Sequence, residues 1–408
     1  MQQTGERRRP VGGGAVLAAI VSPTGSASAW AQNARLLQQS GFGLAQLDLP
    51  LSRINPRDGR FEWDYGGFET GIQTLYRAGV LPVLKFLGQA DYLSSDPNGP
   101  HSDWDNSINL TPPRDRTQWQ TVVRQVVARY RQSCRHWQIG NEPDGGGYFR
   151  GNADEYMTYL EWTASAIRAV QPNAVILAGE LYAGQLPAGS YGDVLSKLVR
   201  RPDLFDVLAV HYPIGRPQDS GPIEDYQRAM QRAGIRKPIW NTEQAAGASC
   251  EGAAPGTSTH IRTEGATQLS PMKAVGHCVG LGMEKVFLMH WNYDDSGIAY
   301  RDWTQAECRA TAWALNGAIP VRQRNFGNRD LSVYLFRRAD GRRVIAFWTE
   351  VQGVTVPLRI LSSQKITVVN HRDERQELTP SGGWVRVTAR FCPQMAVVAD
   401  PTTDVQLG

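Results

Sequence analysis

From residue 15 onward, short apolar runs alternate with longer stretches in which apolar residues recur every three or four positions. The short runs have the length of strands and the longer ones the spacing of helices, so strand and helix are predicted to alternate. The strand candidates are Ala15–Val21, Gly43–Leu49, Val80–Leu87, a run ending at Glu142, Ala174–Gly179, Phe205–Val210, a run ending at Glu243, and Lys285–His290. Helices are predicted over Trp30–Ser40, Tyr65–Ala78, Thr117–Arg131, Ala153–Val170, Ser190–Arg200, Ile223–Ala233, Ala266–Gly282 and Thr304–Asn316. Gly41, Gly79 and Gln171-Pro172 stand where three of these should stop. Eight such units make an α/β fold, a (β/α)8 TIM barrel with its helices outside a closed parallel sheet.

The period changes at Val321. Leu331–Arg337 alternates and meets Val344–Trp348 across Ala339-Asp340-Gly341, a hairpin signal. Val354–Leu361, Ile366–Val369, Trp384–Ala389 and Gln394–Val398 read as further short strands, together a small antiparallel β-sandwich. The expected organisation is a tail over 1–14, a catalytic barrel over 15–320 and a sandwich over 321–408. No Pro-, Ser- or Gly-rich linker parts the last two, so they are expected to share an interface.

The first strand has a rival reading. Arg7-Arg8-Arg9, the apolar Ala15–Ile20 and Ala27-Ser28-Ala29 also have the three-part order of a signal peptide. Cleavage after Ala29 would leave seven strands, so strand counting favours the barrel strand.

Composition narrows the function. Of 408 residues, 41% are hydrophobic and 20% charged, as in a globular protein. Net charge is +4 with no long basic run, which gives no case for nucleic acid. No stretch has the length of a membrane span. Twelve Trp is a high count; core packing accounts for many, but sugar-binding clefts also use aromatic faces. Five Cys are irregularly spaced, without a CxxC or a zinc-ligand pattern. Cys134 and Cys278 fit buried positions, and Cys250 is free to pair with Cys278 or Cys308.

The candidate chemistry lies at two strand ends. Trp137-Gln138-Ile139-Gly140-Asn141-Glu142-Pro143 is a short strand that ends on an amide, a carboxylate and a proline, and Asp144–Gly147 then breaks it. Far downstream, Pro238-Ile239-Trp240-Asn241-Thr242-Glu243 ends in the same way. Barrels keep their chemistry at the C-terminal lips of their strands. Two carboxylates there suit glycosidic cleavage, because one must protonate the departing oxygen and the other must oppose charge developing on the anomeric carbon. Glu142 suits the acid, which must hold its proton near neutrality, and Glu243 suits the nucleophile. Either glutamate alone could equally be a surface carboxylate; both closing apolar strands in matching register favours function. Strand two carries Gln46 and Asp48, and strand three carries Lys85 with Gln89 at its exit. The long loops 90–116 and 244–264 flank it, with Tyr92, Trp104, Tyr148 and Tyr182 as aromatic candidates.

Asn141-Glu142-Pro143 with Thr242-Glu243 resembles the signature of the retaining clan-A glycoside hydrolases, closest to the family 39 and family 5 types (β-xylosidase, α-L-iduronidase and exopolysaccharide endoglycosidase relatives). Leu47–Pro50, Ile54-Asn55-Pro56 and Gly59–Trp63 are similar to their second-strand region. The resemblance spans the barrel and, with the trailing sandwich, nearly the whole chain. It implies an O-glycosyl hydrolase acting on a polysaccharide or oligosaccharide by double displacement, with Glu142 as acid/base and Glu243 as nucleophile. It further implies Asn141 on the sugar 2-hydroxyl, His211 and Tyr212 lining the site, one of them holding the nucleophile, and Trp291 as floor. The arginine this clan often places on strand two stands here as Gln46, which leaves the nucleophile's positive support open. Lys85 could supply it only by pointing inward, and the expectation is that it lies elsewhere. No cofactor or metal is implied. A catalytically silent carbohydrate-binding barrel is the alternative. A metal-dependent barrel hydrolase would need a His-x-His pair, which none of the seven His forms. A carbohydrate substrate points to a secreted or periplasmic protein, and a first-strand reading of the N-terminus fits a cytoplasmic one. The sugar, the linkage and the oligomeric state are not encoded in any motif.

Overall fold

The computed structural model describes all residues except 1–13, 15, 58, 103–107, 146, 183–189, 213–220, 247–249, 252–269, 290, 293–298 and 300. Its inner strands are β1 (Leu17–Ile20), β2 (Leu44–Asp48), β3 (Leu81–Phe86), β4 (His136–Ile139), β5 (Val175–Tyr182), β6 (Val207–His211), β7 (Ile239–Gln244) and β8 (Lys285–Leu288). They close into one barrel in sequence order, every neighbouring pair parallel. β1 pairs with both β2 and β8, so the apolar N-terminal stretch is a barrel strand, and cleavage after Ala29 would open the sheet.

The helices are α1 (Ala27–Gln39), α2 (Leu51–Ile54), α3 (Phe68–Arg77), α4 (Arg116–Tyr130), α5 (Ala153–Val170), α6 (Ser190–Leu198), α7 (Gly221–Arg232), α8 (Pro271–Gly280) and α9 (Asp302–Leu315). α2 is one turn, too short for periodicity to reveal. α5 begins with a capping box, in which Asn152 accepts from the backbone of Glu155 and Glu155 returns the bond. Residues 266–269 of the eighth predicted helix lie outside the described residues.

Alternation along each strand sorts side chains between two cores. Trp137 and Ile139 of β4 join Trp30, Trp119 and Tyr130 between sheet and helices. Ala18, Val83, Leu177, Ala209, Trp240 and Phe287 fill the barrel itself. Gly71 lets α3 approach α1, since a Cβ there would fall 2.3 Å from the Trp30 indole.

The remaining strands are β9 (Ile319–Gln323), β10 (Leu331–Arg337), β11 (Arg343–Thr349), β12 (Val356–Leu361), β13 (Ile366–Asn370), β14 (Arg375–Leu378), β15 (Trp384–Ala389), β16 (Gln394–Val398) and β17 (Val405–Leu407). They form a six-stranded sheet, ordered β14-β13-β16-β11-β10-β9, and a three-stranded one, β15-β12-β17. Val333, Leu335, Phe347, Leu358 and Ile360 pack between them. The six-stranded sheet meets the barrel through α8: a Cβ on Gly280 would lie 2.3 Å from the Tyr334 ring, and His277 Nδ1 lies 2.6 Å from the Tyr334 hydroxyl. A disulfide joins Cys250, after β7, to Cys392 of the sandwich. This corrects the expected pairing with Cys278 or Cys308. Both of those are buried thiols within the barrel's helical layer, and Cys278 accepts a bond from Asn241 at 3.3 Å. Among the described residues, no helix is long and apolar enough to cross a membrane.

Candidate active site

The C-terminal lips of β3 to β7 each send polar side chains into one cluster. A regular strand would point consecutive side chains to opposite faces, and here the strand exits break that pattern. Glu142, Glu180 and Tyr212 adopt left-handed backbone (φ 43, 48 and 45°), after Gly140 (φ 87°) and Gly179 (φ 106°) in the first two cases. Such conformations cost on the order of 1–3 kcal/mol each for residues other than glycine and persist where the surroundings enforce them. The pairing register also slips at the ends of β5–β6, β6–β7 and β7–β8. The β-propensity of the runs thus builds the walls, and irregular exits aim the chemistry.

His211 is the hub, fully buried. Its Nδ1 lies 3.0 Å from Glu142 Oε1 and 3.5 Å from Glu243 Oε2, and its Nε2 lies 2.8 Å from Glu180 Oε2. One oxygen each of Glu142 and Glu243, with a ring nitrogen of His211, lie within 4.8 Å of one another. The Tyr212 hydroxyl donates to Glu243 Oε2 at 3.1 Å. Lys85 Nζ donates to Glu243 Oε1 at 3.2 Å and to Asn141 Oδ1 at 2.9 Å, and lies 3.3 Å from Asp48. Glu180 also receives bonds from the Gln138 amide and, at 3.3 Å, from the Thr242 hydroxyl.

Four acidic groups and two basic ones share this small volume, so charges decide protonation. Burial alone would raise the Glu243 carboxyl, but His211, then Lys85, hold it below the usual carboxylate range. Burial works against the Lys85 ammonium, yet Asp48 and Glu243 raise its pKa and keep it charged. Burial likewise opposes charge on His211, and Glu243, Glu142 and Glu180 outweigh it, pushing the imidazole up to about 10. Glu180 goes the other way: desolvation raises it despite His211. Asp144 is raised by burial to about 6, its carboxylate accepting from the backbone N–H of Tyr182 at 3.2 and 3.1 Å.

Of the residues singled out in the sequence, the structure brings together Glu142, Glu243, Asn141, His211, Tyr212 and Asp48. Gln46 lies deeper in the barrel, its amide without a hydrogen-bond partner among the described residues. Trp291 is fully buried, its ring 4.9 Å from that of Phe42 in the layer between strands and helices. It is not brought into the cluster. Tyr182 stands edge-on to Tyr212, ring centroids 5.6 Å apart, whereas the Tyr92 hydroxyl bonds to Asn55. Trp104 lies outside the described residues. Lys85, expected elsewhere, points inward: among buried acids, an ammonium gains more from pairing than from any route to solvent. Its signal was a charge inside the apolar run Leu84-Lys85-Phe86. Glu180 directly follows the fifth predicted strand, Ala174–Gly179, and no motif in the sequence marks it.

A cavity of about 1260 Å³ opens beside Arg131, Arg135, His136 and Asp206, on the opposite end of the barrel, and holds none of these groups. Two clusters among the described residues have donor atoms close enough to share a metal ion: Glu142, His211 and Glu243, and Cys250, His371 and Cys392. In the first the donors already face Lys85, Tyr212 and one another, and in the second the sulfurs are bonded to each other.

No protein-family profile and no curated protein matches the sequence. Solved structures do. A family 39 glycoside hydrolase from Bacteroides cellulosilyticus superposes with a TM-score of 0.68 at 17% identity, covering 94% of this chain and 80% of its own. A family 30 endoxylanase from Clostridium papyrosolvens gives 0.65 at 13%, covering 93% and 95%. A family 39 β-xylosidase from Caulobacter crescentus gives 0.60 at 14%, covering 96% and 97%. The fold is that of the clan-A glycoside hydrolases. The likeness takes in barrel and sandwich together, and at such identities it is a likeness of fold.

Proposed function

We propose that this chain is a retaining glycoside hydrolase in which Glu243 is the nucleophile and Glu142 the acid/base. The observation that carries the reading is that one oxygen of Glu142 and one of Glu243 lie within 4.8 Å of each other, from strand ends far apart in sequence. Retaining enzymes hold their carboxyl groups about 5–5.5 Å apart, whereas inverting enzymes leave about 6.5–9.5 Å for a water. The spacing here fits attack on the anomeric carbon by Glu243, with Glu142 on the leaving oxygen.

The surroundings support the division of labour. Lys85, Tyr212 and His211 all favour the ionised form of Glu243, which is the form that attacks. Asn141 spends its carbonyl oxygen on Lys85, leaving its amide NH2 to donate to a hydroxyl of the bound sugar. Lys85 takes the place left open by Gln46 as positive support for the nucleophile. The structural neighbours include enzymes described as xylanase, β-xylosidase and glucosidase, so β-linked xylosides and glucosides are the first substrates to try.

Glu243→Ala is expected to abolish hydrolysis of an aryl glycoside that the unaltered protein cleaves. Azide should then restore release of the phenol and yield a glycosyl azide of inverted configuration, because the small anion occupies the space the carboxylate left. Full activity in Glu243→Ala would contradict the assignment, and a protein inert toward every glycoside offered would favour a barrel that only binds carbohydrate.

A further inference from the structure

The acid and its neighbours pose a problem that the two-carboxylate scheme does not solve. A general acid must carry a proton, yet Glu142 lies 3.0 Å from an imidazole nitrogen whose other side faces a second buried carboxylate. Resting on the glycosidase reading above, we infer that Glu180 and His211 form a proton-holding pair behind Glu142. In it Glu180 fixes a proton on His211 Nε2 so that Nδ1 is left to exchange one with the acid/base.

The groups around His211 define the argument. Glu142 and Asp144 face it from the end of β4, Glu180 from β5 and Glu243 from β7; Lys85 of β3 pairs with Glu243, and Tyr212 stands edge-on at 6.1 Å. Glu180 is fully buried, so a sugar bound at the barrel mouth has no exposed surface of it to touch. Its Oε2 collects three donors, while its Oε1 has no hydrogen-bond partner among the described residues. A buried carboxylate held in place by two further donors and 2.8 Å from one imidazole nitrogen sets that ring's tautomer, as an orienting acid does wherever it backs a catalytic histidine. The left-handed turn at Glu180 is what aims its side chain there.

The exchange balances. In the resting pair His211 carries protons on both nitrogens, with Nδ1–H directed at Glu142 Oε1 and Nε2–H at Glu180 Oε2. The Nδ1 proton passes to Glu142 Oε1, leaving neutral imidazole with its Nε2–H held by Glu180, and Glu142 then gives that proton to the leaving oxygen. In the second half-reaction Glu142 takes a proton from the attacking water and returns it to Nδ1. Glu180 touches neither substrate nor the reacting atoms and is a positioning residue.

Loss of the negative charge at position 180 weakens the pair's hold on the shared proton. The limb on which activity falls as the pH rises must therefore move to lower pH. In Glu180→Gln, which keeps the size and an acceptor oxygen, the alkaline limb of kcat/KM is expected to fall by about one pH unit or more, a tenfold or greater loss of proton affinity. The His211 ring nitrogens, followed by 15N chemical shift in histidine-labelled protein, should titrate lower by a similar amount. A side chain that merely fills space would lower kcat and leave both titrations in place, and that result would overturn the inference. The unaltered protein supplies an arm that needs neither a folded variant nor a known substrate. At neutral pH its His211 should show both ring nitrogens protonated, and a neutral ring bearing its proton on Nδ1 would also overturn it. Inactivity of the unaltered protein would defeat the glycosidase reading while leaving this tautomer measurement to stand or fall alone.

Discussion

At the scale of single residues, the site is built from buried charges held by one another. Lys85 illustrates the point: it is buried to 3% exposure, which only pairing makes tolerable, and its partners are Glu243 and Asn141. Replacing it by Gln keeps hydrogen-bonding capacity and removes the charge. Steady-state kinetics of Lys85→Gln are expected to show kcat lower by about 10²–10³, the usual consequence of losing one preorganised electrostatic contact. KM should change much less, and a loss confined to KM would make Lys85 a substrate-binding group instead. The chain's sequence exposed Glu142 and Glu243 because each closes an apolar strand. It hid the role of Lys85, because the inward or outward direction of one strand residue depends on a register that only the closed barrel sets. Glu180 was hidden for a related reason. Its left-handed backbone turns the side chain inward at a position that simple alternation would not assign.

At the scale of elements, every barrel strand overlaps the apolar run that announced it, since strands buried on both faces write continuous hydrophobic stretches. The places where strands overran their expected ends are instructive. β5, β6 and β7 continue to Tyr182, His211 and Gln244, and those polar extensions belong to the site and its rim. In the sandwich, β10, β15 and β16 match their expected bounds, whereas β9, β14 and β17 left no readable pattern. All five residues of β9 are exposed, and β14 is the polar stretch Arg-Gln-Glu-Leu at the sheet's edge. Edge strands bury too little to carry alternation. Trp291 shows the converse: an aromatic at a strand exit looks like a sugar platform in sequence, but packing against Phe42 claims its ring.

At the scale of the whole molecule, barrel and sandwich are joined by α8 and by the Cys250–Cys392 bridge, whose ends are 142 residues apart in sequence. The anchored segment follows directly from the strand that carries Glu243. Cross-links that close long loops contribute about 2–5 kcal/mol, so Cys392→Ser is expected to lower the thermal midpoint by several degrees in calorimetry. An unchanged midpoint would mean that the packing of α8 against Tyr334 and Trp348 holds the two parts together unaided. Closure of the ring is what brings Glu142 and Glu243 to face each other, and under the proposed function that separation sets the order of events at the sugar. The most direct test is the anomer released first when the protein cleaves an aryl glycoside, read by proton NMR before mutarotation. The account predicts a first-formed sugar of the same anomeric configuration as the substrate; the opposite anomer would contradict double displacement through Glu243.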